Sequence, residues 1–159
     1  PEKIVLILTP TTSISGIIQI VSRVSEVGLH KLHTLKFPLK NVKEVSGSAP
    51  IPPISNDFIT SMGRTNDAIL YGGNVELKVQ GTEEQIINLA KNLPSTSSKD
   101  YGKPFSEIFK DYKGDFYAID PNLFSPGKVK IISVDTGKSF EEGVINTDLI
   151  NKSFAYEKK

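Results

Sequence analysis

The apolar positions of this chain change period several times, and each change marks an element. Residues 3–8 carry the continuous apolar run Ile4-Val5-Leu6-Ile7-Leu8, with β-branched residues and bounded by Thr9-Pro10, which predicts a strand buried on both faces. From Ile14 the period switches: Ile17, Ile18, Val21, Val24 and Leu32 recur at helical intervals, so a helix is predicted from the Thr11-Thr12-Ser13 caps to about Leu32, with Gly28 a weak point near its end. A short strand is expected over Val42 to Val45. The prolines between Gly47 and Pro53 remove donors and restrict their neighbours, so that stretch reads as a rigid loop.

Farther along, Ser55-Asn56-Asp57 is suited to cap a short helix through Ser61, and Gly63 to Asp67 reads as turn chemistry before Ala68-Ile69-Leu70-Tyr71. Val75, Leu77 and Val79 alternate with Glu76, Lys78 and Gln80, predicting a strand over 74–80 with one wet face. Thr82 and Gln85 form a capping box that opens an amphipathic helix, and Pro94 closes it. The polar stretch Ser95 to Lys99 reads as a linker or lid. Pro104 suits the first turn of a helix bearing Phe105, Ile108 and Phe109, which Lys113-Gly114 stops. Strands are expected over Phe116 to Ile119 and Val129 to Val134, and a turn at Asp135-Thr136-Gly137-Lys138 leads to another around Phe140. Helices and strands are interspersed, so the expected fold class is α/β: one domain, residues 1–159, with a mixed β-sheet and flanking helices.

Composition narrows the function classes. At 159 residues the chain can bury a sizeable core, and 23% charged against 38% hydrophobic residues is the balance of a globular domain. Nineteen basic and 18 acidic side chains leave a net charge of +1, which supplies no general field for nucleic acid. Without cysteine there is no disulfide framework and no thiolate zinc site. His30 and His33 have no acidic or histidine partner nearby in sequence, so they read as cations near a helix C-terminus and no metal site is expected. The apolar run 4–8 is too short for a membrane span and lacks the features of a signal peptide, so a cytoplasmic location without membrane association is expected. Lys130, inside an apolar run, reads as an outward-facing charge.

Arg23 and Glu26 are a pair of ionisable residues on a segment otherwise written for burial. Their separation places guanidinium and carboxylate on one side of the expected helix, able to present a cation and a base together or to form an inert surface pair.

Five blocks extend the context. They are Pro10-Thr11-Thr12-Ser13-Ile14-Ser15-Gly16 with Gln19-Ile20-x-x-Arg23-x-x-Glu26; Pro50-Ile51-Pro52-Pro53-Ile54 with Asn56-Asp57; Met62-Gly63-Arg64-Thr65-Asn66-Asp67; Pro94-Ser95 followed by Asp100-Tyr101-Gly102-Lys103-Pro104-Phe105; and Asp115-Phe116-Tyr117 with Ile119-Asp120-Pro121-Asn122-Leu123-Phe124. In this order they resemble the C-terminal half of methenyltetrahydromethanopterin cyclohydrolase, a one-carbon enzyme of archaea, where it serves methanogenesis, and of methylotrophs. One stretch departs from that pattern: the family's Gly-Ala-Gly-Arg-Cys-Pro-Ile stands here as Gly47-Ser48-Ala49-Pro50-Ile51, shorter and without Arg or Cys.

The resemblance implies a fold equivalent to the second half of the cyclohydrolase fold. It also implies a substrate, a tetrahydromethanopterin derivative whose methenyl carbon bridges two nitrogens and carries delocalised positive charge, and a hydrolysis to the formyl form with no cofactor. Glu26 is then the candidate base and Arg23 its orienting cation. An apolar pocket would have to raise the Glu26 pKa while Arg23 opposes the shift. Thr11, Ser13, Ser15 and Gly16 could meet a phosphate or pterin edge, or simply cap the helix. Asn66 and Asp67 offer donors and acceptors to a pterin ring or form a turn; Tyr101 and Lys103 could cover the ligand and contact its anionic tail. Asp120-Pro121-Asn122 reads as a turn, and Phe105, Phe116 and Phe124 as core. As partners the resemblance implies the pterin carrier, a separately encoded or cleaved N-terminal half, and a homo-oligomer, a trimer on the family pattern. Pro1 suits a processed start or loss of an initiator Met. The alternative is a catalytically inactive stand-alone derivative that binds pterin or serves assembly.

Overall fold

A computed structural model describes residues 2–155. The order of elements is α1 (Ile14–Val21), α2 (Val24–Thr34), β1 (Val42–Ser48), α3 (Phe58–Leu70), β2 (Asn74–Val79), α4 (Glu83–Asn92), α5 (Phe105–Asp111), β3 (Lys128–Ser133), β4 (Ser139–Gly143) and α6 (Thr147–Phe154). The sheet order is β1-β2-β3-β4, with β1/β2 and β3/β4 antiparallel and β2/β3 parallel. This is the expected α/β domain with a mixed sheet.

Period-two alternation sends Val75, Leu77, Val79, Val129 and Ile131 to one face, where α2 and α4 cover them with Leu32, Ile86, Leu89 and Leu93. The opposite face carries cross-strand ion pairs: Glu44 with Lys78, Glu76 with Lys130, and Lys128 with Glu141. Lys130 therefore points outward, as expected. A second core gathers Leu70, Tyr71, Phe105, Ile108, Ile119 and Leu123 where α3, α5 and α6 meet. Phe105 is fully buried in it and Phe124 is partly buried, but Phe116 is 38% exposed, stacked on Phe124 at 4.8 Å rather than enclosed. The Thr82 and Gln85 capping box and the Pro104 start of α5 are both present.

Five expectations are corrected. Residues 3–8 form no strand, and Ile4 to Leu8 are 70–90% exposed, because no strand among the described residues offers their backbone a partner. The helix expected to run to Leu32 is two helices broken at Ser22-Arg23, since α1 packs on α3 while α2 packs on the sheet, and a straight rod cannot serve both surfaces. Gly63 to Asp67 is not a turn but the middle of α3. A Cβ on Gly63 would stand 3.0 Å from Ser106 Cβ, so this glycine permits the close crossing of α3 and α5. Ser95 to Lys99 is no lid: Ser95 and Ser98 are buried, with the Ser95 hydroxyl on Leu70 O (2.5 Å) and its N–H on Pro126 O (3.0 Å). Phe116–Ala118 is a 3-10 turn capped by Asp115, not a strand. α6 has no counterpart in the sequence reading.

Candidate functional site

The break between α1 and α2 builds the centre of the site. Val21 and Val24 are buried on either side of it, and the Arg23 N–H bonds to Ile20 O at 3.2 Å, a tight last turn that leaves Arg23 as the cap residue of α2. From there its guanidinium reaches forward to Glu26 in the first turn: Nε donates to Oε2 at 2.8 Å, and Nη2 donates to Oε1. Both side chains are more than half exposed. The hydrogen bond from Arg23 is the main cause that holds the Glu26 carboxyl below its usual range, and Glu26 raises Arg23 in turn. Of the two opposing influences, the guanidinium outweighs the pocket here, since among the described residues no apolar wall encloses the exposed carboxylate.

A hollow of about 340 Å³ is lined by Ser22 and Val24, the sequence neighbours of Arg23, with Ile18, Val21, Gly47 to Ala49 and Ile51; Arg23 and Glu26 themselves do not line it. Its far wall is the stretch Gly47 to Ile51, where the sequence departs from the family pattern. β1 passes close: a Cβ on Gly47 would stand 2.8 Å from Ser25 Oγ and 3.0 Å from Val24 Cγ1. Ile14, Ile18, Ile51, Ile54 and Phe58 remain exposed large hydrophobics on α1, α3 and the loop between them and β1.

The remaining candidates fall into three places. At the entrance of α1, Ser13 Oγ accepts from Gly16 N (3.1 Å) and donates to Pro10 O (2.7 Å), so Ser13 is committed to capping; Ser15 is exposed and Thr11 O takes the Ser61 hydroxyl (2.9 Å). Gly16 is buried where a Cβ would meet Pro10 O at 2.1 Å. On α3, Asn66 Nδ2 bonds to Met62 O (2.9 Å) within its own helix. Asp67 is wholly buried, accepting from Phe105 N (2.8 Å) and Ser153 Oγ (2.6 Å); it pins α5 and α6 to α3, and burial pushes its pKa up to about 7. Before α5, the Tyr101 ring packs edge-on against Tyr71 (5.2 Å), and Lys103 pairs with Asp111 (2.7 Å). These two line a separate cleft of about 120 Å³ with Asp100 and Tyr112.

Sequence reasoning passed over Lys31, which is 1% exposed, its ammonium on Asn122 Oδ1 at 2.7 Å. The signal was present, since position 31 lies one heptad from buried Val24 on the same helix face. His30 and His33 on the same helix are exposed.

The order of these parts along the chain is matched by the model of one family, described as Cyclohydrolase (MCH), over residues 1–154. The chain belongs to that family. Its curated relatives include proteins named methenyltetrahydromethanopterin cyclohydrolase from Methylobacillus flagellatus, 53% identical over 98% of this chain and 48% of the relative, and from Xanthobacter autotrophicus, 55% identical over 97% and 46%. A third, from Methylosinus trichosporium, is 51% identical over 97% of this chain and 59% of its own. The chain spans about half the length of the curated relatives it matches. These relatives are bacterial, so an archaeal source is not supported. Each carries the matched stretch within one longer polypeptide, which gives no support to a separately encoded half. Among the described residues no helix is long and apolar enough to cross a membrane.

Proposed function

We propose that this chain takes part in hydrolysis of the methenyl bridge of a tetrahydromethanopterin-type carrier to its formyl form. The observation that carries the reading is the bidentate Arg23–Glu26 pair at the start of α2, whose flanking residues Ser22 and Val24 line a hollow, in a chain with relatives named methenyltetrahydromethanopterin cyclohydrolase. The bridging carbon is already electrophilic. Glu26 takes a proton from the attacking water as the new C–O bond forms and the π pair of the C=N bond returns to its nitrogen. The hydroxyl of this adduct then gives up its proton to solvent as the C=O bond forms, one C–N bond breaks, and Glu26 returns its proton to the leaving nitrogen, opening the ring. As an anion Glu26 also favours the cationic substrate. Arg23 holds the carboxylate in register and stabilises negative charge as the water is deprotonated.

An exposed carboxylate held low by arginine is a weak base. We therefore propose a second wall over the hollow, supplied by polypeptide outside this chain's residues or by a neighbouring copy in an oligomer. Exposed Ile14, Ile18 and Ile51 suit such a covering, and excluding water there would raise the basicity of Glu26. Substrate-binding roles for Thr11, Ser13, Ser15 and Gly16 would act through the backbone at the α1 entrance. Tyr101 and Lys103 would act at the anionic tail. Asn66 and Asp67 would act only indirectly, by holding α5 in place.

The test follows loss of methenyl ultraviolet absorbance by this chain, alone and with the N-terminal half of a relative added. Glu26→Gln should lower turnover about 100-fold or more in whichever preparation is active. Parental turnover by that variant refutes the base assignment, and binding without turnover in both preparations supports the non-catalytic derivative.

A further inference from the structure

Lys31 lies on α2, the helix that begins with the Arg23–Glu26 pair, and its ammonium is held inside the protein without a carboxylate at ion-pair distance among the described residues. It donates to Asn122 Oδ1 (2.7 Å), to Asn122 O (3.2 Å) and, at 3.5 Å, to Ser97 Oγ. Because Asn122 Oδ1 faces the ammonium, its amide nitrogen faces the other way and donates to Asp120 Oδ1 at 3.0 Å. The second oxygen of Asp120 takes the Ser98 hydroxyl (2.8 Å) and Lys99 N (3.2 Å), and the Asp120 N–H donates to Asp100 Oδ2 (2.8 Å). Asp100 in turn receives the Tyr112 hydroxyl at 2.9 Å. A cation and a carboxylate that do not touch are thus joined through one oriented amide. The chain of bonds ends at the segment bearing Tyr101 and Lys103.

An apolar side chain at position 31 would fill the space but leave two part-buried oxygens of Asn122 without this donor. Burying an ammonium is costly, and direction is what it supplies that packing cannot. We infer that Lys31 is a positioning residue for the proposed reaction: through Asn122 and Asp120 it sets where Tyr101 and Lys103 stand relative to the helix that carries Arg23 and Glu26. The inference rests on the functional reading above. It explains why a polar stretch that looks like a lid in sequence is tied down by hydrogen bonds to Asp120, and it links two clefts that share no lining residue.

Hydrogen exchange and substrate binding test it together. In Lys31→Met, and in Asn122→Ala should the first variant fail to fold, amides of residues 99–103 should exchange about tenfold faster while β2 and β3 keep parental rates. Affinity for the methenyl-pterin should fall about tenfold with kcat within about threefold of the parent in the active preparation, because the residues moved bind substrate and do not transfer the proton. A double variant should be no worse than the more affected single one. Parental exchange at 99–103, or undiminished affinity, overturns the inference. Undiminished affinity in Lys31→Met beside lost turnover in Glu26→Gln overturns it while the proposed reaction stands; parental turnover in Glu26→Gln removes the reaction itself.

Discussion

Arg23 and Glu26 meet as a bidentate pair across the start of α2, Nε of one 2.8 Å from Oε2 of the other, with the arginine outside the helix as its cap and the glutamate in its first turn. An ion pair within one rod would be a routine surface contact. Here the pair sits at the break between two helices, and the residues on either side of Arg23, Ser22 and Val24, line the hollow formed with β1. The pair is exposed, so its consequence lies in chemistry rather than in stability.

Removing the arginine should therefore change a titration before it changes the fold. In Arg23→Ala the main cause lowering the Glu26 pKa is gone, so the carboxyl should titrate nearer its ordinary value. The acid limb of the pH–rate profile should move to higher pH while the denaturation midpoint stays close to the parent's. Carboxyl carbon NMR of Glu26 against pH checks the first point and urea titration the second.

Asp67 and Lys31 should give the stability curve two slopes of opposite sign. The folded pKa of Asp67, about 7, lies above its unfolded value, so the folded state holds the extra proton, and stability present at acid pH is lost as pH rises toward and through 7. Lys31 is lowered to about 8 by burial, below its unfolded value, so stability rises as pH climbs above 8 and the ammonium discharges. Urea midpoints across this range should show both trends. Asp67→Asn should flatten the first and Lys31→Met the second.

Leu77 sits at the centre of β2 with no exposed surface, between α2 and α4. Leu77→Ala should cost roughly 2–5 kcal/mol, lost apolar transfer plus the cavity left behind. Guanidinium denaturation at unchanged m-value is the measurement.

Gly16 tests whether the α1 entrance is shaped by close approach. Its added Cβ would lie 2.1 Å from Pro10 O, a contact only backbone movement can relieve. Gly16→Ala should destabilise by about 1–3 kcal/mol, as overpacking does. Ser15→Ala, on the exposed side of the same turn, should leave the melting temperature unchanged; calorimetry on both variants separates the two.

Much of the fold was legible in particular residues. The alternation from Val75 to Val79, the Thr82 and Gln85 box and the Pro104 start each place an element correctly, because each depends on neighbours in sequence. Gly63 misled, since a glycine that reads as a turn locally is here the notch through which α5 crosses α3. Ser95 and Ser98 misled in the same way: their hydroxyls find partners on Leu70 and Asp120, distant in sequence, that no local pattern announces.

By itself the sequence determined the four strands of the sheet and the helices α4 and α5, the wet face of β2, the family and the candidate pair Arg23 and Glu26. These follow from residue order and from side-chain periodicity, which act over a few positions. Tertiary structure alone decided that Arg23 lies in a helix break as the cap of α2, that Asp67 is a buried pin, and that Tyr101 and Lys103 line a different cleft from the hollow lined by Ser22 and Val24. Those outcomes depend on contacts between residues distant in sequence and on which charges lose their water, and both are settled only when the layers close.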